Sequence, residues 1–360
     1  MARSAESYKY SQPQTKHVII HLIEVPMANK ITITDIANLA GVTKATVSYY
    51  LNGKTSKMSE KTALKIKNAI EKTGYTPSIA ARSLNSKGSH LIGVIIGNIT
   101  NSFANQTVKG IEDYARQNDY LSIVASSEFN PEHEKKYINS MLAMGVDGFL
   151  VQPTKLFRET VNLNSLNKPI VYFDSAGDDE NTMYVKTDNY DITYSTINIL
   201  IDKGYEYFCL VSNNPYALQT REERNNACID ALNERNIPYK SIIINSDKDE
   251  DYFKSKLYPI LNSRKNVCIF AFNNSLLQMA FIALEPYKDR IPEIGLIGFD
   301  HAEWCRHTNP SITLIDQPAY NEGNEACKIL INQIEKRGEE TERLILKSTL
   351  VERETTDLKK

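Results

Sequence analysis

The stretch from Thr32 to Gly53 permits very few folds. Thr32 with Asp35 three residues later has the form of a capping box, so a helix starts at Ile33. Ile36, Ala37, Leu39 and Ala40 give that helix a small apolar face. Gly41 follows, where a tight turn needs a residue tolerant of positive φ. Thr43 can cap a second helix, which runs to about Leu51 and stops at Asn52-Gly53. In it Val47 and Leu51 face inward, while Lys44 with Ser48, and Ala45 with Tyr49, lie four apart on outward faces. Two short helices joined by a glycine-containing turn make a helix-turn-helix, whose second helix enters a DNA major groove with its first residues at base edges. Ordinary globular packing also uses short helix pairs, so the pattern alone does not decide a role.

Charge adds to it. Residues 1–90 hold 13 Lys+Arg against 5 Asp+Glu, and the remainder 29 against 39. The formal net charge of −2 therefore hides a basic head on an acidic body, an asymmetry suited to a phosphate-binding end. Ser59 caps a third helix from Glu60 to about Lys72, with Ala63, Ile66 and Ile70 inward and lysines outward, and Gly74 ends it. Tyr75-Thr76-Pro77 breaks the chain, and residues 78–84 form one more short helix. Seven residues are too few for a helix stable alone in water, so this one is expected to fold when paired with a second copy and with DNA.

These segments resemble the openings of the lactose-repressor (LacI/GalR) family. The match runs through Asp35-Ile-Ala37, Ala40-Gly-Val-Thr43, Ala45-Thr-Val-Ser48, Leu51-Asn-Gly53 and Tyr75 to Leu84. The resemblance implies that Lys44, Ala45 and Tyr49 face bases and that Thr32, Thr43, Thr46, Ser48 and Asn52 hold phosphates. It also implies that Ser78, Ala81 and Leu84 enter the minor groove, with Leu84 as an apolar wedge that kinks the duplex. Many members carry Arg where this chain has Tyr49; arginine grips guanine bidentately and tyrosine does not, so the half-site is expected to differ.

At 360 residues, 41% of them hydrophobic, the chain fits a small head and a two-lobed body. No run of about 20 apolar residues crosses a membrane, and the apolar patch 18–23 is too short and lacks the cleavage site of a signal peptide. Five cysteines (Cys209, Cys228, Cys268, Cys305, Cys327) without a CxxC pair read as reduced core thiols of a cytoplasmic protein, not bridges or metal ligands. The six histidines show no ligand spacing, so neither metal nor cofactor is expected. Residues 1–29 read as a disordered extension, 30–76 as the DNA-binding head, 77–88 as hinge and linker, and 89–355 as the body.

From residue 90 the texture becomes apolar strand, amphipathic helix, strand. Strands are expected at 91–96, 121–126, 148–152 and 169–173, with helices at 103–117 and 131–144. A second series restarts with helices at 192–203, 222–235, 251–262 and 276–284, and strands at 207–212, 241–245, 267–272 and 294–299. A final long helix covers about 321–336. This alternation implies two doubly wound parallel-sheet lobes of periplasmic-binding-protein type with a cleft between them. Ligands of such sheets sit at the carboxyl ends of strands, where this chain places Asn98 to Phe103, Gln152, Asp174, Asn273, Asp300 and Gln317. Arg221 and Arg224 sit at the start of a second-lobe helix. Amides and carboxylates suit sugar hydroxyls, and arginine suits a carboxylate. Taken singly, Asp174 and Asp300 could be turn residues and Arg224 a surface helix residue.

The resemblance continues through Leu91-Ile-Gly-Val94, Val146-Asp-Gly148, Ile297-Gly-Phe-Asp300 and Ile312-Thr to Gln317-Pro318, and so spans nearly all of residues 30–355. It implies effector-pocket roles for Asn101, Phe103, Gln152, Asp174, Arg224, Asn273, Asp300 and Gln317. The family's Asn-Asp is Asn273-Asn274 here, and the glycine of its Arg-x-x-Gly helix is Ala227. Fewer acids beside retained arginines suggest an acidic ligand. Lys203-Gly-Tyr-Glu-Tyr-Phe208 and Phe299-Asp-His-Ala-Glu-Trp304 look similar to the repressors of uronate and 2-keto-3-deoxygluconate use. The expected protein is a ligand-responsive repressor of carbohydrate catabolism genes, a homodimer on a near-palindromic operator. A solute-binding module of sugar-receptor type is the alternative, against which the basic head and missing export signal speak. No GxGxxG, Walker loop, GxSxG or HExxH occurs, so no catalytic residue is assigned and an enzyme is not expected.

Overall fold

A computed structural model describes residues 31–51, 53–76, 88–162, 166–176, 182–245, 249–300, 303–337 and 342–358. The chain divides into two compact units, residues 1–81 and 82–360.

In the first unit three helices, α1 (Ile33–Ala40), α2 (Lys44–Leu51) and α3 (Glu60–Thr73), enclose a core of Ile36, Ala37, Ala40, Val47, Ile66, Ala69 and Tyr75. The capping box at Thr32 is present in both directions, and Gly41 ends α1 in the left-handed region at φ 65°. Thr43 Oγ1 accepts the Thr46 N–H at 3.2 Å, so α2 starts where its cap residue stands. The hinge segment, with Ser78, Ala81 and Leu84, lies outside the described residues, as do Asn52 and residues 1–29.

The second unit holds two six-stranded sheets of matching order. Lobe 1 contains β1 (Leu91–Ile96), β2 (Leu121–Ser126), β3 (Gly148–Val151), β4 (Ile170–Phe173), β5 (Met183–Thr187) and β11 (Arg343–Leu346), ordered β11-β5-β4-β3-β1-β2. Lobe 2 contains β6 (Tyr207–Ser212), β7 (Tyr239–Ile243), β8 (Val267–Ala271), β9 (Ile294–Phe299), β10 (Thr313–Asp316) and β12 (Thr349–Val351), ordered β12-β10-β9-β8-β6-β7. Every pairing is parallel except that of β10 with β12. The helices are α4 (Ser102–Gln117), α5 (Pro131–Met144), α6 (Phe157–Thr160), α7 (Asn189–Asp202), α8 (Gln219–Glu234), α9 (Glu250–Ser263), α10 (Asn274–Ala283) and α11 (Ala319–Ile334). β1, β3, β6, β8 and β9 are buried at every position, because helices cover both faces of each sheet. In lobe 2, alternate residues of β6 divide between the two faces: Phe208 and Leu210 meet α7 and α8, and Cys209 and Val211 meet α9 and α10.

The expected strand–helix alternation is present, with boundaries moved by a few residues, but the chain does not finish one lobe before starting the other. The final helix, grouped in the sequence with the second series, packs on lobe 1: Ala326, Cys327 and Leu330 of α11 share a core with Val94, Leu150 and Phe173. β11 likewise returns to the lobe 1 sheet. Periodicity identifies an element; which sheet it covers is decided by partners far away in the chain. Short β5, β11 and β12 carry polar residues among the apolar ones and so lacked a strand signature; β10 was marked only by Gln317 at its end. Three connections consequently join the lobes: β5 to α7, β10 to α11, and β11 to β12. All five cysteines are free and buried, and among the described residues no cluster of His, Cys, Asp and Glu could hold a metal and no helix could cross a membrane.

Candidate functional site

On the head, Val47 is fully buried while Lys44, Ala45 and Tyr49 of α2 are exposed, as the outward face requires. Thr32 and Thr43 are exposed, and Thr46 and Ser48 half-buried. Both threonines at the helix starts already spend a hydroxyl locally: Thr32 Oγ1 donates to Asp35 Oδ2 at 2.7 Å, and Thr43 caps α2. The Thr32 hydroxyl and backbone bonds hold the Asp35 carboxyl below its ordinary range. Lys57, from the one-turn helix Thr55–Lys57, sets its ammonium 5.0 Å from the centre of the Tyr49 ring.

In the body, a cavity of about 520 Å³ opens between the lobes. Asn101, Phe103, Gln152, Asp174, Arg221, Arg224, Asn273, Asp300 and Gln317 all line it. The two lobes build matching halves. Asp174 ends β4 at φ 57° and Asp300 ends β9 at φ 81°, the left-handed turns that swing each carboxylate away from its strand. Each accepts a glutamine amide: Gln152 Nε2 donates to Asp174 Oδ2, and Gln317 Nε2 to Asp300 Oδ1, both at 2.7 Å. Asp300 Oδ2 also accepts the Asn274 N–H at 3.2 Å, whereas Asp174 Oδ1 is buried without a hydrogen-bond partner. Burial raises both carboxyls, against the pull of Arg224; Asp174 is pushed up to about 6.

Arg224 is 5% exposed and bonds to lobe 2 and to two of the connections between the lobes. Its Nε donates to Asn189 Oδ1 at 2.8 Å, Nη1 to the Phe272 carbonyl at 2.7 Å and Nη2 to Gln317 Oε1 at 3.0 Å. The guanidinium lies 3.8 Å from the Phe299 ring centre. Asn189 and Gln317 sit on two of the three connections between lobes, and Thr187 Oγ1 joins those connections by donating to Gln317 Oε1 at 2.8 Å. One cavity-lining cation thus bonds to two of the connections between the lobes.

Asn101 and Asn273 serve first as helix caps, accepting the Phe103 N–H at 2.8 Å and the Leu276 N–H at 3.0 Å. Arg221 stacks 5.3 Å from the ring of Phe129, a lobe 1 loop residue held at φ 53°. Phe129, Asn213, Asn214 and Gln278 line the cavity too and were missed: Asn213 and Asn214 follow β6, where the strand-end rule could have found them, Phe129 lies on a loop and Gln278 inside α10. Glu322 was missed as well. It is fully buried on α11, accepts the Asp174 N–H at 2.5 Å through Oε1, and has no partner at Oε2. Burial first, and the neighbouring Asp174 charge second, push its carboxyl well above the ordinary range.

Residues 32–78 match the family of bacterial regulatory proteins called lacI, and residues 92–340 match the periplasmic binding protein domain. The chain is 30% identical over 309 residues to the HTH-type transcriptional regulator KdgR of Bacillus subtilis (strain 168), covering 84% of this chain and 91% of that one. This chain belongs to the lacI family of regulators. Another relative, named "Probable HTH-type transcriptional regulator EndR", of Paenibacillus polymyxa, is 30% identical over 87% of this chain and 93% of its own. The Lac repressor dimer bound to operator and the anti-inducer ONPF has the same fold, with a TM-score of 0.78 at 21% identity over 91% of this chain and 99% of that one. Membership makes the head a helix-turn-helix DNA-binding unit, and α2 is the second helix of that motif, the position from which a recognition helix enters the major groove.

Proposed function

We propose that this lacI-family regulator is a repressor of carbohydrate catabolism genes, held on a near-palindromic operator as a homodimer and controlled by a sugar acid bound between the lobes. The observation that carries the ligand-controlled part is Arg224. It lines the cavity and bonds to two connections between the lobes, so a ligand that shifts it shifts the lobes. Amides and the open Asp174 Oδ1 suit hydroxyls; Phe103 and Phe272 suit the apolar face of a sugar ring; Arg221 at the wall suits a carboxylate. Arg221, at the cavity wall over Phe129 of lobe 1, is assigned the acidic group.

The test is a thermal-shift screen of the full chain against D-glucuronate, D-galacturonate, D-gluconate and the corresponding neutral hexoses. A ligand at a hundred times its Kd adds about 2.7 kcal/mol and raises the melting temperature by several degrees. An acid that stabilises the wild type, loses that effect in Arg221→Ala, and changes affinity for a selected duplex supports the proposal. Equal stabilisation by the neutral hexoses removes the sugar-acid assignment; no stabilisation by any of them removes sugar control.

A further inference from the structure

Residues 31–76 contain seven lysines and no arginine. Guanine shows two acceptors in the major groove, O6 and N7, and arginine or lysine is the side chain that meets them. Arginine presents its donors as a fixed planar fork, whereas lysine places a point charge on a flexible four-carbon stem. A lysine gains comparable definition when something holds that stem. Among the described residues of the head, Lys57 is the lysine seated on an aromatic face, its ammonium 5.0 Å from the Tyr49 ring centre. Tyr49 lies on the outward face of the recognition helix with 39% of its surface exposed, one turn after Ala45. Lys57 reaches it from the single turn that follows α2. Neither residue belongs to the head's core.

We propose that Tyr49 and Lys57 form one composite reader, in which the ring is a platform and the ammonium takes an acceptor atom of the duplex, at a guanine edge or at the phosphate beside it. The tyrosine hydroxyl is not the contact. This rests on α2 being the recognition helix, and it supplies the charge that a lone tyrosine at this position lacks.

The full-length wild type is first used to select its site from a library of random duplexes. The selected duplex is then titrated by fluorescence anisotropy between 50 and 200 mM salt with Y49F, Y49A, K57A and Y49A/K57A, each checked for an unchanged thermal transition. Y49F should bind within about two-fold of wild type, since it keeps the ring. Y49A and K57A should each weaken binding about ten-fold, and the double variant should be little weaker than the worse single one. If the ammonium reads guanine, K57A loses one selected guanine per half-site. If it holds phosphate, K57A keeps the selected sequence and its salt slope falls by about 0.9 per half-site. Additive losses, or a Y49F as weak as Y49A, overturn the composite reader while leaving the recognition helix intact. A wild type that selects no duplex removes the DNA role and the reader with it.

Discussion

Glu322 sits where an acid is least expected, on the buried face of α11 against Asp174. Two carboxyls with one open oxygen each cannot both hold a charge there cheaply, so both are raised above the ordinary carboxyl range. Arg224 and Lys186 favour the ionised form of Glu322, and Asp174 opposes it. The folded-state value is raised above the ordinary 4.5, so Glu322 costs nothing below the unfolded value and withdraws stability as pH climbs from there toward its folded value. Glu322→Gln keeps an oxygen for the Asp174 N–H and cannot titrate. Its melting temperature should therefore gain on wild type as pH rises from 5 to 8, by at least about 2 °C across the range. A difference that stays flat over those pH values would show that Glu322 titrates normally. This residue was invisible in the sequence because a glutamate in an amphipathic helix ordinarily lies on the solvated face; its burial depends on β4, 148 residues distant. Seven of the nine named cavity residues follow strands and were legible for the opposite reason, that the carboxyl end of a parallel strand is a local feature; Arg221 and Arg224 stand on a helix.

At the scale of elements, α4 and α11 cross with almost no separation. A Cβ at Gly323 would stand 2.0 Å from the Thr107 carbonyl oxygen, and one at Gly110 would stand 2.0 Å from that of Tyr320. Backbone cannot retreat as a side-chain tip can, so Gly323→Ala must push the helices apart and loosen the lobe 1 core behind them. The expected cost is about 3 kcal/mol, at the upper end for overpacking, read as a lower melting temperature of the body. An unchanged transition would mean the crossing has room that the structure does not show. The helices themselves were plain from apolar spacing. Their partnership was not, because nothing within either segment says that each glycine lies against the other helix's backbone. The same limit hid the return of β11 and α11 to lobe 1.

For the molecule as a whole, the opening turns of α8 decide how the lobes meet. Gln219 Oε1 accepts Ser175 Oγ–H at 2.7 Å and the Ala176 N–H at 2.8 Å, Glu222 pairs with Lys155, and Glu223 pairs with Lys186. Between these, Arg221 lines the cavity and Arg224 reaches the connections, so one short helical stretch touches the cavity, lobe 1 and the connections together. The Lys186–Glu223 pair is the most enclosed of the two ion pairs, and water does little to replace it. Glu223→Lys sets like charges against Lys186 and beside Arg224, at a cost of about 3 kcal/mol to the arrangement of lobes seen here. Free body carrying this change should scatter X-rays with a larger radius of gyration than wild type, and a ligand that needs both lobes should bind it more weakly by the fraction of closed molecules lost. The charge-swapped K186E/E223K variant restores an attractive pair without restoring either native side chain. If it recovers the wild-type scattering and affinity, attraction across the cleft holds the lobes; if it behaves as Glu223→Lys alone does, the lobes are set by their three connections and α8 only follows them.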